Sequence, residues 1–273
     1  MIRLSVIIPV YNNVTYIGKA IHNYLSLASD KTELIIIDGG SSDGTLEEIK
    51  AYSKKHLSII WISEQDRGQS DAMNKGIRLA NGQYISFLNV DDYYSPETFT
   101  KVLQILDYDT SINFLVGDCN VFDEKGGLIY INRPSKLKKW HLLSGYHFPV
   151  NPTAYFYRKD IHESLGYYNE NNHFNMDLEF LVLARLKYEF TYFPIIWGNF
   201  RVLPNTKTAL DVADDSLERK KFELLNHIIR KQNFYIRIRT HLYKFIRIKK
   251  LLSKTIFNLI LDKLIFEIKK RFR

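Results

Sequence analysis

Hydrophobic and polar positions alternate along the first 95 residues in a way that predicts strands separated by helices. Short apolar runs predict four strands, at Leu4–Val10, Leu34–Ile37, Ser58–Ile62 and Tyr84–Leu88. Between them, helical spacing of apolar residues predicts helices at Val14–Leu27, from Asp43 to about Lys55, and from Ser70 or Asp71 to about Ala80. Strands that alternate with helices of this length favour a parallel sheet covered by helices on its faces.

The pattern becomes mixed α/β after this region. Short strands are predicted at Phe114–Val116, Leu128–Ile131, Ala154–Tyr157 and Thr191–Ile196, with a helix from about Met176 to Lys187. Residues 211–233 look helical, and their acidic first residues suit a helix N-terminus. The last part repeats apolar residues near helical spacing among lysines and arginines, at Ile238, Leu242, Phe245, Leu252, Ile256 and Leu259. The sequence therefore predicts an α/β fold with a basic, amphipathic helical extension.

Composition narrows the class of protein. The chain has 273 residues, of which 45% are hydrophobic and 25% charged, so collagen-like, disordered and disulfide-scaffold proteins are excluded. The single cysteine, Cys119, forms no internal disulfide and builds no thiolate metal cage. We expect it to be a buried, inert thiol in reducing, intracellular surroundings.

The charge is concentrated at one end of the chain. Residues 231–273 hold 13 Lys and Arg against Asp262 and Glu267, whereas residues 1–230 hold 25 basic and 28 acidic side chains. A basic amphipathic segment of this kind binds anionic membranes, binds nucleic acid, or packs as oligomer helices. No run approaches the ~18 uncharged apolar residues of a spanning helix, and no leader is expected before the first strand.

Common nucleotide and hydrolase signatures are missing. The sequence has no G-x-G-x-x-G after a strand, no G-x-x-x-x-G-K-[ST], no G-x-S-x-G and no H-E-x-x-H. Polar clusters instead follow the predicted strands, at Asn12-Asn13, Asp38 to Asp43 and Asn89 to Asp92. Ligands bind beyond the carboxyl ends of such strands. Asp38 could accept the imide N–H of a uracil or a ribose hydroxyl, or it could be an ordinary turn aspartate before two glycines.

Asp91 and Asp92 form an acidic pair at the end of a buried strand. Two adjacent carboxylates repel each other unless a cation or a hydrogen-bond donor lies between them. Hard divalent ions take oxygen ligands and share them with phosphates, so this pair could hold Mg²⁺ beside a diphosphate leaving group. The alternative is a solvated loop before a helix that starts at Ser95-Pro96-Glu97.

Four segments in this region resemble the family 2 glycosyltransferases, which have the GT-A fold. They read "SVIIPVYNN" at Ser5–Asn13, "IIIDGGSSDGT" at Ile35–Thr45, "SEQDRGQSDAMNKGI" at Ser63–Ile77 and "GQYISFLNVDD" at Gly82–Asp92. A looser similarity continues through "NPTAYFYRKDIHESLGYYNE", "NMDLEFLVLARL" and "GNFRVLPNTKT", to about Thr208. The resemblance implies a GT-A type mixed, mainly parallel sheet flanked by helices.

The resemblance also implies roles for single residues. Pro9, Tyr11 and Asp38 stand where these enzymes hold the nucleotide base and ribose, and Asp66 and Arg67 where the base and diphosphate are lined. Asp91 matches the metal-binding acid of the D-x-D element, for Mg²⁺ or Mn²⁺. The first acid of that element is Asn89 here, whose amide oxygen could still reach a metal or a sugar hydroxyl without supplying charge.

Asp177 stands where the family places its catalytic base. One carboxylate must take the proton of the acceptor hydroxyl as that hydroxyl attacks the anomeric carbon, and a helix N-terminus keeps such a group ionised. Glu179 is the rival candidate, and a simple helix-capping role for Asp177 is the structural alternative.

The sequence thus predicts an inverting glycosyltransferase that moves a sugar from a nucleotide donor, a UDP-sugar, to an acceptor hydroxyl in cell-surface polysaccharide or glycolipid synthesis. Residues 1–210 would form the GT-A domain, with the donor half at 1–95 and the acceptor half at 96–210, and residues 211–273 would form the helical extension.

The acceptor would be a glycan or lipid-linked molecule. The basic extension would hold a cytoplasmic protein at the anionic inner face of the membrane, with no nucleic acid bound and oligomers possible through its helices. The alternatives are a polyprenyl-phosphate sugar transferase and a non-catalytic sugar-nucleotide-binding protein.

Overall fold

The computed structural model describes residues 1–146, 148–172, 174–204 and 215–248. Its strands, in chain order, are β1 (Leu4–Val10), β2 (Thr32–Asp38), β3 (Ile59–Ser63), β4 (Tyr84–Phe87), β5 (Tyr93–Tyr94), β6 (Phe114–Phe122), β7 (Leu128–Asn132), β8 (Tyr155–Arg158) and β9 (Phe190–Arg201).

The helices that connect them are α1 (Val14–Leu27), α2 (Thr45–Lys55), α3 (Gln69–Leu79), α4 (Thr98–Tyr108), α5 (Lys139–Leu143), α6 (Ile161–Leu165), α7 (Met176–Lys187) and α8 (Asp215–Arg230). A further helix, α9, covers residues 234–248.

The described strands form one mixed sheet in the order β3-β2-β1-β4-β8-β6-β9-β5, with β7 paired to β6. Strands β1 to β4 pair in parallel, and β6 pairs in parallel with β9. Strands β5, β7 and β8 are antiparallel to their neighbours. The prediction of a mixed, mainly parallel sheet is confirmed.

Helices cover both faces of this sheet. Ile17 of α1, Ile49 of α2 and Val102 of α4 are buried in the core on one face. The other face is covered by α3, α5, α7 and α8, whose residues Ile77, Leu142, Leu181 and Leu225 belong to the second core. The loops that follow β1, β2 and β4 lie at one edge of the sheet, because these strands run in parallel.

The early elements agree with the sequence predictions more closely than the later ones. Both β1 and α1 have the predicted ends, and so does α7. In contrast, β6 and β9 continue well beyond the predicted runs, because polar residues such as Asp118 and Asn199 also lie within the sheet. Strand β5 and helices α5 and α6 were not predicted at all. Cys119 is buried and unpaired as expected, and burial, with the nearby charge of Asp92, raises the pKa of its thiol to about 12.

The predicted extension is helical where the structure describes it. Helix α8 packs its buried residues Leu225, Ile228 and Ile229 into the core, and α9 follows it. The predicted boundary at residue 210 and the apolar positions Leu252, Ile256 and Leu259 lie outside the described residues. Within the described residues, no helix has the length and apolar character that crossing a membrane requires.

Candidate active site

Loops after β1 and β2 are joined at the carboxyl edge of the sheet. The Asn12 N–H donates to Ser41 Oγ at 2.7 Å, and Asn12 Oδ1 accepts from the Ser42 N–H at 2.9 Å. Asn12 has a positive φ of 45°, a conformation that asparagine tolerates better than most residues. Asp43 accepts from the Val14 N–H at 3.0 Å, and hydrogen bonds from Thr45 and Val14 lower the pKa of its carboxyl group. The edge is therefore ordered by its own hydrogen bonds.

Asp38 lies at the centre of this edge, at the end of β2. Its side chain is fully buried, and its carboxylate accepts from Ser63 Oγ at 2.6 Å and from the Ser41 N–H at 3.2 Å. These contacts connect the ends of β2 and β3 to the following loop. Asp38 is thus more than a turn residue: it is fixed in one orientation and has oxygen lone pairs left for a further donor.

Tyr11 and Asp66 lie close to Gly39, the residue that follows Asp38. A Cβ atom at Gly39 would lie 2.5 Å from Asp66 Oδ2 and 3.4 Å from Tyr11 Cδ2, so a larger residue here would displace the Asp66 side chain. Asp66 is oriented by the Gly68 N–H, which donates to Oδ1 at 2.8 Å, while Tyr11 is 63% exposed. Pro9 lies within the buried strand β1. An exposed aromatic ring beside an oriented carboxylate suits a planar, polar ligand such as a nucleotide base.

Arg67 follows Asp66 but points towards other acids. Its Nη2 lies 2.5 Å from Glu170 Oε2 and 3.4 Å from Asp71 Oδ1, while the side chain remains 73% exposed. Burial acts to raise the pKa of Asp71. The hydrogen bonds from Arg67 and the charge of Lys75 outweigh burial and hold this pKa below its usual value. Arg67 therefore connects α3 to the segment before α7 and has an exposed guanidinium at the rim of the site.

The two adjacent acids, Asp91 and Asp92, point in different directions. Asp92 is buried and accepts hydrogen bonds on both carboxylate oxygens: Asn151 Nδ2 and Asn89 Nδ2 donate to Oδ2 at 2.7 and 3.0 Å, and the Arg201 N–H donates to Oδ1 at 3.0 Å. Burial, and then the charge of Asp91, raise the pKa of Asp92 to about 7. The alternative of a solvated loop does not apply to Asp92, which joins three separate segments.

Asn89 donates a side-chain hydrogen bond to Asp92, which an ionised aspartate at this position could not do. Its amide nitrogen donates to Asp92, and its Oδ1 accepts from Gln69 Nε2 at 3.3 Å. An aspartate at this position would place a third carboxylate against Asp91 and Asp92. The departure from two acids in the D-x-D element is thus explained by the hydrogen bond to Asp92.

Asp91 faces an open cleft of about 630 Å³, which is lined by Asn13, Tyr16, Asp91, Glu124, Lys125, Leu203 and Pro204. Burial raises the pKa of its carboxyl group, and the nearby Arg201 opposes that shift. In the described part of the chain, no cluster of three or more His, Cys, Asp or Glu side chains could hold a metal by itself. Mg²⁺ usually takes only one or two protein carboxylates together with phosphate oxygens and water. The residues present fit a divalent ion that Asp91 shares with a bound diphosphate.

Two cations near Asp91 had no predicted role: one lines the cleft and the other lies close to it. Arg201, at the end of β9, lies 5.5 Å from the ring centre of Tyr16 and is close enough to Asp91 to affect its pKa. Lys125 is in the turn between β6 and β7. Arg201 belongs to the looser similarity "GNFRVLPNTKT", which carried no assigned role, and nothing in the sequence brings Lys125 near Asp91.

Asp177 lies in the first turn of α7, and α3 connects this turn to the loop that carries Asp91. Ser70 Oγ of α3 contacts Sδ of Met176 at 2.6 Å, while the neighbouring Gln69 donates to Asn89. Both the predicted base and the predicted metal loop therefore flank the N-terminus of α3. Spacing along the sequence could not have shown this.

A floor of buried aromatic groups lies beneath Asp177. Burial, and then the charge of Asp177, raise the pKa of Tyr155 well above its usual value. Tyr157 Oη lies 3.3 Å from Tyr168 Oη and 3.0 Å from His162 Nε2, and burial lowers the pKa of His162 to about 4. The base candidate thus lies next to buried groups that stay neutral.

Glu179 points away from this floor. Its Oε2 accepts from Asn172 Nδ2 at 2.7 Å, which fixes the segment that precedes α7. Asp177 is not the helix cap either, because Asn175 occupies that position and Asp177 lies within the helix. Of the two carboxylates, Asp177 is the one near the tyrosine floor.

Comparison with known proteins gives a family match over the region that builds this site. The sequence model described as "Glycosyl transferase family 2" matches residues 5–166. Glycosyltransferase GlyA of Streptococcus pneumoniae serotype 4 is 28% identical over 131 residues, which are 48% of this chain and 18% of GlyA. Chondroitin synthase of Escherichia coli is 30% identical over 126 residues, 46% of this chain and 18% of that protein. This chain therefore spans about a fifth of the length of these curated relatives.

Solved structures share the fold. TarS of S. aureus, crystallised as residues 1–349 in complex with UDP, aligns with a TM-score of 0.66 at 18% identity, over 87% of this chain and 68% of that one. Mannosyltransferase PcManGT from Pyrobaculum calidifontis, in complex with GDP-Man and Mn²⁺, aligns with a TM-score of 0.58 at 17% identity, over 81% of this chain and 69% of that one. At these identities the likeness is one of fold.

Proposed function

Because the family match covers more than half of its residues, the chain belongs to glycosyl transferase family 2, and we propose that it transfers a sugar from a nucleotide donor to an acceptor hydroxyl. The observation that carries this proposal is the convergence of two sites around the N-terminus of α3. On one side, Asp38, Asp66 and Asp91 line the carboxyl edge of the sheet, and on the other side Asp177 opens α7. The first site suits the binding of a nucleotide diphosphate, and the second supplies a carboxylate that could accept a proton.

The donor is a nucleotide sugar, and UDP is the nucleotide that we favour. Asp38 presents a fixed carboxylate to an imide N–H or a ribose hydroxyl, and Tyr11 and Asp66 flank the base with Pro9 behind them. UDP in the TarS complex supports this choice. Arg67 would reach the diphosphate from the rim by exchanging Glu170 for phosphate oxygens, since its guanidinium is already exposed.

Asp91 would hold a divalent ion together with the donor diphosphate, and Asn89 would lie beside the sugar. The ion would supply charge neutralisation for the leaving diphosphate. Mn²⁺ in the PcManGT complex supports this assignment. Arg201 and Lys125 bring positive charge close to Asp91 and balance the carboxylates of Asp91 and Glu124, which lowers the repulsion of an anionic donor.

Asp177 is the proposed general base of an inverting reaction. It takes the proton of the acceptor hydroxyl while the hydroxyl oxygen forms a bond to the anomeric carbon, and the bond from that carbon to the diphosphate oxygen breaks on the opposite side. The aromatic floor places neutral, buried groups next to the base, which supports its role as the one charged group on this side. Residues 1–95 would then bind the donor, and residues 96–210 would bind the acceptor.

We assign the acceptor to cell-surface polysaccharide or glycolipid synthesis, as a glycan or lipid-linked molecule. The chondroitin synthase relative supports this class. The enzyme would work at the inner face of the cell membrane as a peripheral protein, through its basic C-terminal part.

The decisive experiment is a screen of nucleotide sugars for thermal stabilisation and for hydrolysis, with and without Mn²⁺. We expect a UDP-sugar to raise the melting temperature most and to be turned over slowly, with both effects larger when the metal is present. Stabilisation without any turnover, with a range of acceptors, would instead indicate a non-catalytic sugar-nucleotide-binding protein. Turnover only with polyprenyl phosphate would identify the alternative transferase.

A further inference from the structure

A stripe of large apolar side chains is exposed along α9, far from the candidate active site in sequence. Phe234 and Phe245 are 77% and 65% exposed, and Ile238 and Leu242 between them are about half exposed. Their spacing places all four on one face of the helix. The opposite face is anchored, because Thr240 is fully buried. Exposed apolar area of this extent is typical of a surface that contacts something other than water.

Cations border this stripe on both sides. Helical geometry places Arg239 along one edge of the stripe and Arg237 and Lys244 along the other. The Arg239 guanidinium lies 5.1 Å from the ring centre of Tyr235. An apolar face flanked by basic and aromatic residues is the pattern of helices that lie in the interface of an anionic bilayer.

The globular body extends the same surface. Trp140 of α5 lies 6.4 Å from Tyr235, and Arg239 and Lys138 both lie over the Trp140 ring, at 5.7 and 5.4 Å from its centre. Lys136 and Lys138 are exposed beside it. Residues outside the C-terminal region therefore add positive charge and an aromatic ring next to the stripe.

We propose that the outer face of α9 and the body residues Lys136, Lys138 and Trp140 form one interfacial surface, which docks on an anionic lipid bilayer. This inference rests on the peripheral location proposed above and specifies the surface that makes the contact. The apolar stripe would enter the acyl boundary, the tryptophan and tyrosine would lie at the headgroups, and the cations would pair with anionic lipid.

The arrangement of charge favours a bilayer over two other occupants. A nucleic-acid surface needs cations where the phosphates lie, whereas here the cations border an apolar centre. In a symmetric dimer the same patch would face itself, so the cationic borders of the two copies would come together.

Docking in this way would bring the membrane to the acceptor side of the enzyme. Arg247 of α9 lies 4.2 Å from the ring centre of Tyr146, and Lys221 of α8 lies 5.5 Å from that of Phe148. A few residues after Tyr146 and Phe148 in the chain, Asn151 donates a hydrogen bond to Asp92, the residue next to Asp91 of the cleft. A lipid-linked acceptor held in the bilayer would thus enter beside the segment that contacts Asp92.

Co-sedimentation of the full chain with phosphatidylcholine vesicles, with and without phosphatidylglycerol, tests the shared surface. The informative variant is Lys136→Glu with Lys138→Glu, which changes the body alone. Its matched control is Lys50→Glu with Lys54→Glu, an identical charge change on exposed lysines of α2, which packs on the opposite face of the sheet. We expect the first variant to bind phosphatidylglycerol vesicles at least about tenfold more weakly than the control, since each basic residue near the surface contributes measurably.

A second pair tests the apolar stripe. Phe234→Ser with Phe245→Ser should weaken binding at least about tenfold, whereas Leu57→Ser, at a 92% exposed position near α2, should leave it unchanged. Stabilisation by UDP should be the same in all variants, which confirms that they are folded.

The outcomes separate this inference from the proposed location. Normal binding by the Lys136/Lys138 variant, with loss in the Phe234/Phe245 variant, would overturn the shared surface and leave a peripheral protein that docks through α9 alone. A wild-type protein that ignores anionic vesicles would overturn both. Light scattering that shows a dimer dissolved by the phenylalanine changes, with vesicle binding intact, would assign the stripe to self-association.

Discussion

The donor and acceptor sides of the proposed active site differ in the electrostatic environment of their titratable groups. On the donor side, Asp38, Asp43 and Asp71 each accept hydrogen bonds from backbone N–H groups, and Asp43 and Asp71 have lowered pKa values. On the acceptor side, burial raises the pKa of Tyr155 and lowers that of His162, so both groups stay neutral. We propose that the donor side holds charge beside a charged ligand, and that the acceptor side places a single carboxylate next to neutral groups.

Removing the carboxylate of Asp177 should have the largest effect. Asp177→Asn is nearly isosteric, so UDP affinity and folding should persist, while the transfer rate at saturating donor should fall on the order of 10²–10⁴-fold. Glu179→Gln is the matched control and should be milder, because Glu179 bonds to Asn172. A strongly reduced transfer rate for Glu179→Gln, together with a nearly normal rate for Asp177→Asn, would assign the general base to Glu179. Loss of UDP affinity in Asp177→Asn would place Asp177 in the donor site and contradict the division into a donor side and an acceptor side.

Asp91 is the next test, because it lies across the N-terminus of α3 from Asp177, on the proposed donor side. Asp91→Asn should lower the transfer rate on the order of 10²-fold and make the remaining rate and the UDP affinity insensitive to Mn²⁺ or Mg²⁺. Glu124→Gln changes another carboxylate of the cleft and should preserve the metal response. Calorimetry of UDP binding with and without metal provides the comparison. An unchanged metal response in Asp91→Asn would exclude Asp91 as a ligand.

Asp38 tests whether the ordered edge binds the nucleotide. Asp38→Ala should weaken UDP binding by roughly 1–3 kcal/mol, through lost hydrogen bonds to the ligand and a loosened Ser41 loop. Ser63→Ala removes only the hydroxyl that supports Asp38 and should cost roughly 0.5–1.5 kcal/mol. Equal UDP affinity in wild type and Asp38→Ala, measured by titration calorimetry, would reduce Asp38 to a structural residue.

His162 has no expected effect on the transfer reaction and concerns stability alone. Its pKa of about 4 in the folded state lies below the unfolded value of ~6.5, so the unfolded chain binds the extra proton between these values. Stability contributed by neutral His162 is present above about pH 6.5 and is lost as pH falls towards 4, with a slope of up to about 1.4 kcal/mol per pH unit. Urea unfolding across this range should show a shallower slope for His162→Gln, whereas His56→Gln, at an exposed position after α2, should behave like wild type. Parallel slopes in all three proteins would mean that the acceptor floor is hydrated.

The sequence predicts the donor side far better than the acceptor side, for a physical reason. Strands β1 to β4 are uninterrupted apolar runs that pair with near neighbours in the chain, and their polar loops meet at one edge by topology. The acceptor side depends on long-range pairings, such as β6 with β9, and on polar residues inside strands. The contacts of Asn151 and Arg201 with Asp92 join positions 59 and 109 residues apart, which no local pattern encodes. The roles of Pro9, Tyr11, Asp66, Arg67 and Asn89 came from family resemblance and remain predictions.

The bonds at Asp92 also constrain how this enzyme can be recombined with its relatives. A chimera that takes its donor side from one protein and its acceptor side from another exchanges Asp92 and Asn89 separately from Asn151 and the strand that ends at Arg201. Unless position 151 is transplanted together with positions 89 and 92, the hybrid buries a carboxyl group that has lost one of its three donors. Grafts intended to change the acceptor should therefore move these three positions as one unit.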